Sequence, residues 1–202
     1  MFRQDKIYVR LAVPRRKRGL LIDLMRQYPE IIAEFEMDDG APQPLFPDKS
    51  IFINYRRADT EDVCGRIYDR LVMTFGRASV FKDIEDIMPG VDFRKVLARE
   101  VAATDVMLVI IGQNWINREN KRRLFEPGDF VRFEIETALE RGIPVIPVLV
   151  QRRVRLPQKR YLPPSIQDLV YRNAVQVRPD PDFHNDMDRL IDGIIDIFQR
   201  EE

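Results

Sequence analysis

The sequence predicts an α/β fold built on a parallel sheet, because compact apolar runs alternate with segments of helical periodicity from residue 50 onwards. Five of these runs have the length and composition of β-strands. Strands that alternate with helices form right-handed crossovers between parallel neighbours. We therefore expect a five-stranded parallel sheet with helices on both faces.

The first strand is predicted at residues 51–55, and a helix follows it. Asp59 or Thr60 is the expected N-cap of this helix, since short polar side chains bind the free amides of a first turn. Gly76 is expected to end it. Apolar residues at spacings of four give the helix one buried face, formed by Val63, Ile67 and Leu71.

The middle of the chain is predicted to hold a short strand at 79–81 and a helix that begins near Asp92. The uninterrupted apolar run at 106–111 indicates a central strand that is covered on both faces. Asp129 is expected to cap the next helix, and Gly142 is expected to end it.

Two further strands are predicted at 144–150 and 174–177, with a helical segment at 165–172 between them. The prolines of the first of these strands predict a position away from the most tightly paired centre of the sheet. This order of elements is flavodoxin-like, and such sheets bind ligands beyond the carboxyl ends of their strands. The final helix has one apolar stripe, formed by Met187, Leu190, Ile191, Ile194 and Phe198.

Residues 1–48 differ in composition from the rest of the chain, because they contain the basic run 15–18 and several prolines near their end. A chain of 202 residues suits one α/β domain plus an extension. We therefore assign 1–48 to an N-terminal extension of unknown role and 49–202 to a single domain.

The composition excludes several classes of partner. The 33 basic residues balance 33 acidic residues, so no overall field attracts nucleic acid. No apolar run reaches the roughly 18 residues that would span a membrane. We therefore expect neither nucleic acid nor a membrane as a partner. The single cysteine, Cys64, and the single histidine, His184, leave little material for a disulfide, a zinc site or a catalytic triad. We expect a cytoplasmic protein without a metal or bound cofactor.

Three segments in order resemble the Toll/interleukin-1 receptor (TIR) domain family: 52–57 at the end of the first strand, 80–83 before the Pro89-Gly90 turn, and 129–135. The resemblance is closest to NAD-consuming TIR domains of bacteria. It implies cleavage of the nicotinamide–ribose bond of NAD⁺, with NAD⁺ as substrate, to give nicotinamide and ADP-ribose or a cyclic isomer. It also implies immune or cell-death signalling, including antiviral defence, self-association through TIR domains, and a sensor or effector protein as partner.

Glu134 matches the glutamate that the NAD-cleaving members use, and its chemistry fits that role. Positive charge develops on the ribose as nicotinamide leaves, and a fixed carboxylate stabilises it. The same match implies a set of substrate-binding residues: Tyr55, Arg56, Arg57, Asp83, Phe93, Trp115 and Phe130.

Two of these assignments carry open points. One of the two arginines is alternatively a structural ion-pair partner, and Phe130 stands where many active relatives have tryptophan. The resemblance also implies a loop that covers the pocket and contacts a neighbouring copy, formed by Asp86, Met88, Pro89 and Gly90.

Two other classes of protein are alternatives to an enzyme. A non-catalytic TIR adaptor that only assembles with other TIR domains stays open. A phosphoacceptor receiver domain is rejected, because it needs aspartates where this chain has Asn54-Tyr55 and Gly112.

Overall fold

The computed structural model describes residues 7–14, 31–38, 46–82 and 101–200, and the chain divides into two compact units, 1–43 and 44–202. In the first unit, strands β1 (Ile7–Pro14) and β2 (Ile31–Asp38) pair in parallel, with Ile7 opposite Ile31. Both strands lie in the N-terminal extension, where the sequence analysis predicts none.

The second unit contains the predicted five-stranded parallel sheet. The spatial order of its strands is β4-β3-β5-β6-β7, and every neighbouring pair is parallel. Since the first strand of this unit lies between the second and the third, the order is the flavodoxin-like one expected. The strands are β3 (Ile51–Asn54), β4 (Val80–Lys82), β5 (Val106–Ile111), β6 (Val145–Val150) and β7 (Val175–Val177).

Helices cover both faces of this sheet. The described α-helices are α1 (Arg57–Phe75), α2 (Arg118–Leu124), α3 (Phe130–Glu140) and α4 (Phe183–Arg200). Three 3₁₀ helices accompany them, at Arg77–Ser79, Lys159–Tyr161 and Pro164–Tyr171. Most of the helix expected from near Asp92 lies outside the described residues; residues 101 and 102 are helical, and Val101 is completely buried. None of the described helices is long and apolar enough to cross a membrane.

The core has two layers that follow the alternation of side chains along the strands. All six residues of β5 are buried, as expected for a central strand. Val106, Leu108 and Ile110 belong to the layer that α1 and α4 cover, which includes Cys64 and the predicted stripe of α4. Met107, Val109 and Ile111 belong to the opposite layer, with α2, α3 and the 3₁₀ helix Pro164–Tyr171.

The start of α1 differs from the prediction. The helix begins at Arg57, its N-cap position is Arg56 without a side-chain cap, and Thr60 has non-helical angles (φ −140°, ψ 20°). The carboxylate of Asp59 accepts hydrogen bonds from the backbone N–H groups of Gly112 (3.1 Å) and Asn114 (2.9 Å). The predicted N-cap is therefore wrong, because Asp59 binds the loop after β5.

Gly112 allows that contact. A Cβ atom at this position would lie 2.5 Å from Asp59 Oδ2, well inside any real contact distance, so only glycine lets the carboxylate approach the backbone. The first turn of α1 and the loop after β5 are thereby joined at the carboxyl edge of the sheet.

The place of β6 also differs from the prediction. Its prolines suggested a strand away from the tightly paired centre, yet β6 lies between β5 and β7. Pro147 is opposite Val109 of β5, and β7 pairs only with residues 148–150. Pro147 thus precedes the ladder with β7, where a missing N–H costs little.

A polar contact joins β7 to α4. Asp186 is 1% exposed and accepts hydrogen bonds from the backbone N (3.0 Å), Nε (2.7 Å) and Nη2 (2.8 Å) of Arg178. The side-chain hydrogen bond from Arg178 is the main reason that the pKa of Asp186 lies below its ordinary value. The ionised carboxylate therefore stabilises the folded state.

We predict that Asp186→Asn lowers the melting temperature at pH 7. Because the folded-state pKa is lowered, the contribution is present above the unfolded carboxyl pKa of about 4 and is lost as the pH falls through the folded value. Thermal melts from pH 7 to pH 3 should show the difference between wild type and variant shrinking at the acid end. An equal difference at every pH would contradict this account.

Candidate active site

The residues at the end of β3 and directly after it point alternately to the two faces of the sheet. Phe52 packs in the layer with α3, so Asn54, two residues later, faces α3 as well. Tyr55 faces the other way and packs, half-buried, against the layer of α1 and α4. Arg56 then returns to the α3 side, where it meets Asp129.

Arg56 and Asp129 form a buried ion pair with two hydrogen bonds. Arg56 is 3% exposed, and its Nη1 and Nη2 lie 3.0 and 3.1 Å from the two oxygens of Asp129. Asp129 also accepts from the backbone N–H of Arg132 at 2.9 Å, which confirms it as the N-cap of α3. One carboxylate therefore starts the helix and ties it to the end of β3.

Asn54 holds the side chain of Glu134. Its amide Nδ2 donates to Glu134 Oε2 (2.6 Å) and to the backbone carbonyl of Val131 (3.1 Å), and Asn54 itself is 1% exposed. Glu134 is half-buried and is the fifth residue of α3. Because Asn54 ends β3, the carboxylate lies at the carboxyl edge of the sheet, where open parallel sheets bind ligands.

The other predicted substrate-binding residues that the structure describes differ in how exposed they are. Arg57 is exposed at the first residue of α1, and Phe130 is 50% exposed, one turn before Glu134. Trp115 is completely buried in the layer of α2 and α3, so the structure places it in the core and not at a surface that a substrate could reach. Six predicted site residues lie outside the described residues: Asp83, Asp86, Met88, Pro89, Gly90 and Phe93.

The structure places the two arginines in different environments, one buried and one exposed. The structural ion pair considered for one of them belongs to Arg56, whose guanidinium is committed to Asp129. Burial and this ion pair favour the structural alternative for Arg56, and its expected substrate contact stays a prediction. Arg57 keeps a position at the surface.

A cavity of about 300 Å³ lies beside the start of α1. Its wall combines one arginine and three carboxylates with a glutamine from the end of β6, Gln151, which has a positive φ of 74°. Asn54 and Glu134 are not part of this wall, so the cavity alone does not locate the substrate. The lining residues are Arg57, Ala58, Asp59, Thr60, Glu61, Asp62, Val63 and Gln151.

Asn54 is the site residue that the sequence analysis missed. The sequence pattern could have indicated its orientation. A polar residue at the end of an apolar strand, two positions after the inward-facing Phe52, must face the helix that covers that side of the sheet. The sequence did not indicate which helix, or that Glu134 would be opposite. Within the described ranges, no group of three histidine, cysteine or carboxylate side chains is arranged to hold a metal ion.

Comparison with known proteins agrees with this architecture. Residues 51–191 match the TIR domain family, which is most of the chain. The protein therefore belongs to the TIR domain family. No match is found among curated proteins.

The fold is similar to that of the TIR domains in the structure of the activated Roq1 resistosome directly recognizing the pathogen effector XopQ. The superposition has a TM-score of 0.52 and 11% sequence identity, and it covers 72% of this chain and 99% of that chain. At this identity the likeness establishes the shared fold.

We predict that Arg56→Met destabilises the domain by about 3–5 kcal/mol, because it leaves the carboxylate of Asp129 buried without its partner. The matched control is Arg122→Met, which removes one side of the exposed pair between Arg122 and Glu126. That change should cost about 0–1 kcal/mol. Urea unfolding of the three proteins measures both values, and equal midpoints for Arg56→Met and wild type would refute the prediction.

Proposed function

We propose that this TIR domain is an NAD⁺ nucleosidase, a hydrolase that cleaves the bond between nicotinamide and ribose. The observation that carries the proposal is the carboxylate of Glu134, held by Asn54 at 2.6 Å where the first strand of the sheet ends. Membership of the TIR family, in which NAD-consuming enzymes occur, supports the same activity.

The proposed chemistry needs one fixed anion. Positive charge develops on the ribose as its bond to the pyridinium nitrogen breaks, and a carboxylate beside the ring stabilises this transition state more than the ground state. Nicotinamide leaves as a neutral molecule, so no general acid is required. Water then attacks the anomeric carbon and loses a proton to give ADP-ribose, or a nucleophile within the same molecule gives a cyclic ADP-ribose isomer.

The contacts with substrate are assigned to the surface residues of the set. Arg57 is exposed and borders the cavity at the start of α1, so we assign the pyrophosphate to Arg57 and not to the buried Arg56. Phe130 exposes half of its surface one turn before Glu134, and we assign its ring to the nicotinamide. Asp83 and Phe93, which lie outside the described residues, are kept in the proposed set on the resemblance alone.

We further propose that the protein works as an assembly in immune or cell-death signalling. The support is the family and the likeness in fold to TIR domains of an activated resistosome. The predicted assembly loop, with Asp86, Met88, Pro89 and Gly90, would contact the neighbouring copy. A sensor or an effector protein would complete the pathway in the cytoplasm.

Glu134→Gln should lower the rate of NAD⁺ consumption by about 10²-fold or more, because it removes the negative charge and keeps the shape. The control is Glu140→Gln, the same change at an exposed residue near the end of the same helix, which should leave the rate unaltered. The measurement is NAD⁺ and nicotinamide by chromatography, with purified protein at high concentration.

Two results would contradict the proposal that the protein is an NAD⁺ nucleosidase. A wild-type protein that leaves NAD⁺ intact at high concentration favours the non-catalytic adaptor, and equal rates for wild type and Glu134→Gln show that the carboxylate does not act. Melting temperatures of both variants that match the wild-type value exclude loss of fold as the cause of a lower rate.

Activity per molecule should rise with protein concentration, since assembly would complete the pocket. Rates measured over a dilution series, alongside the mass distribution from light scattering, test this expectation. Constant activity per molecule across the transition from monomer to oligomer would show that each copy acts alone.

A further inference from the structure

Asn54 is a buried polar residue that the proposed reaction does not require by itself. Its Oδ1 is buried and has no hydrogen-bond partner within the described parts of the chain, whereas both contacts of its Nδ2 go to α3. A buried amide with an unpartnered oxygen destabilises a fold, and such a group calls for an explanation.

The orientation of this amide is fixed by its surroundings. Both groups near Nδ2, the carbonyl of Val131 and Oε2 of Glu134, are acceptors, so turning the amide over would set oxygen against oxygen. The amide therefore binds the backbone and the side chain of α3 together. The position of the carboxylate is thereby fixed relative to a buried strand.

We infer that Asn54 is a positioning residue that orients the Glu134 carboxylate toward the ribose, an inference that rests on the proposed function. A glutamate side chain has three rotatable bonds, and a partly exposed one samples many orientations in water. A donor on a strand whose four residues are all buried restricts that freedom before substrate arrives. An Oδ1 without a partner among the described residues is then the structural cost of placing a donor there.

The two ion pairs on the same elements are separate from the contact between Asn54 and Glu134. Besides Glu134, the described side chains of the β3–α1 junction and of α3 include two ion pairs, one surface arginine and one surface glutamate: Arg56 with Asp129, Arg132 with Glu136, Arg57 and Glu140. The arginines of the two pairs are directed to other carboxylates.

The first test compares Asn54→Asp with Asn120→Asp. The first variant keeps the shape but replaces the donor with a second acceptor, and the second makes the same change at another buried asparagine, whose amide donates to Asn114 at 2.6 Å. For Asn54→Asp we expect kcat to fall about 10²-fold with KM nearly unchanged, since binding contacts are untouched. Asn120→Asp should keep the wild-type kcat.

The second test leaves the buried position intact. In ¹⁵N–¹H spectra, the side-chain amide signal of Asn54 should lie downfield in wild type, move upfield in Glu134→Gln and stay in place in Glu140→Gln. A signal that is the same in wild type and in Glu134→Gln would overturn the inference. This readout tests the hydrogen bond from Asn54 to Glu134, on which the inference depends, even if Asn54→Asp does not fold.

The possible failures are distinct. Wild-type protein that leaves NAD⁺ intact overturns the proposed function and, with it, the catalytic purpose of the contact. Active wild-type protein with an Asn54→Asp variant of unchanged kcat, or one whose loss lies in KM alone, overturns the positioning role and leaves the proposed function standing.

Discussion

The ion pair between Arg56 and Asp129 joins the first strand of the sheet to the helix that carries Glu134. Both side chains are buried, so Arg56 depends on Asp129 for the solvation that water no longer supplies, and Asp129 has Arg56 as its nearest cation, with Arg123 farther away at 3.8 Å. Asp129 also accepts a hydrogen bond from a free amide in the first turn of α3, that of Arg132. The geometry of the site follows from this one carboxylate, because it fixes where α3 begins.

A second contact, two residues earlier, completes the junction. Asn54 and Arg56 lie on the same side of the chain because their spacing matches the alternation of an extended strand. One holds the carboxylate of Glu134 and the other holds the start of its helix. With one attachment at the last residue of β3 and another two residues beyond it, the first turns of α3 have a defined position against the sheet edge. The candidate site is therefore a property of a strand–helix junction and not of the cavity beside α1.

Several elements could be predicted because their signals are local. The run at 106–111 is apolar at every position and forms β5 with the expected bounds. Asp129 caps α3 and Gly142, with a φ of 71°, follows its end, as the residue types indicate. Asp59 failed as a cap for the opposite reason: its partners, at Gly112 and Asn114, are more than fifty residues away. The same limit applied to the prolines of β6, since the order of strands decides which N–H groups are needed.

The sequence by itself determined the α/β class, the five strands of the sheet, the apolar stripe of α4 and the candidate glutamate, because periodicity and motif order are written along the chain. It did not predict α2, which lies in a polar segment. The tertiary structure decided which polar residues meet. It separated Arg56, enclosed in an ion pair, from Arg57 at the surface, placed Trp115 in the core, and brought Asn54 to Glu134 across 80 positions. Such contacts depend on how helices pack on the sheet, and that packing arises from the whole core at once.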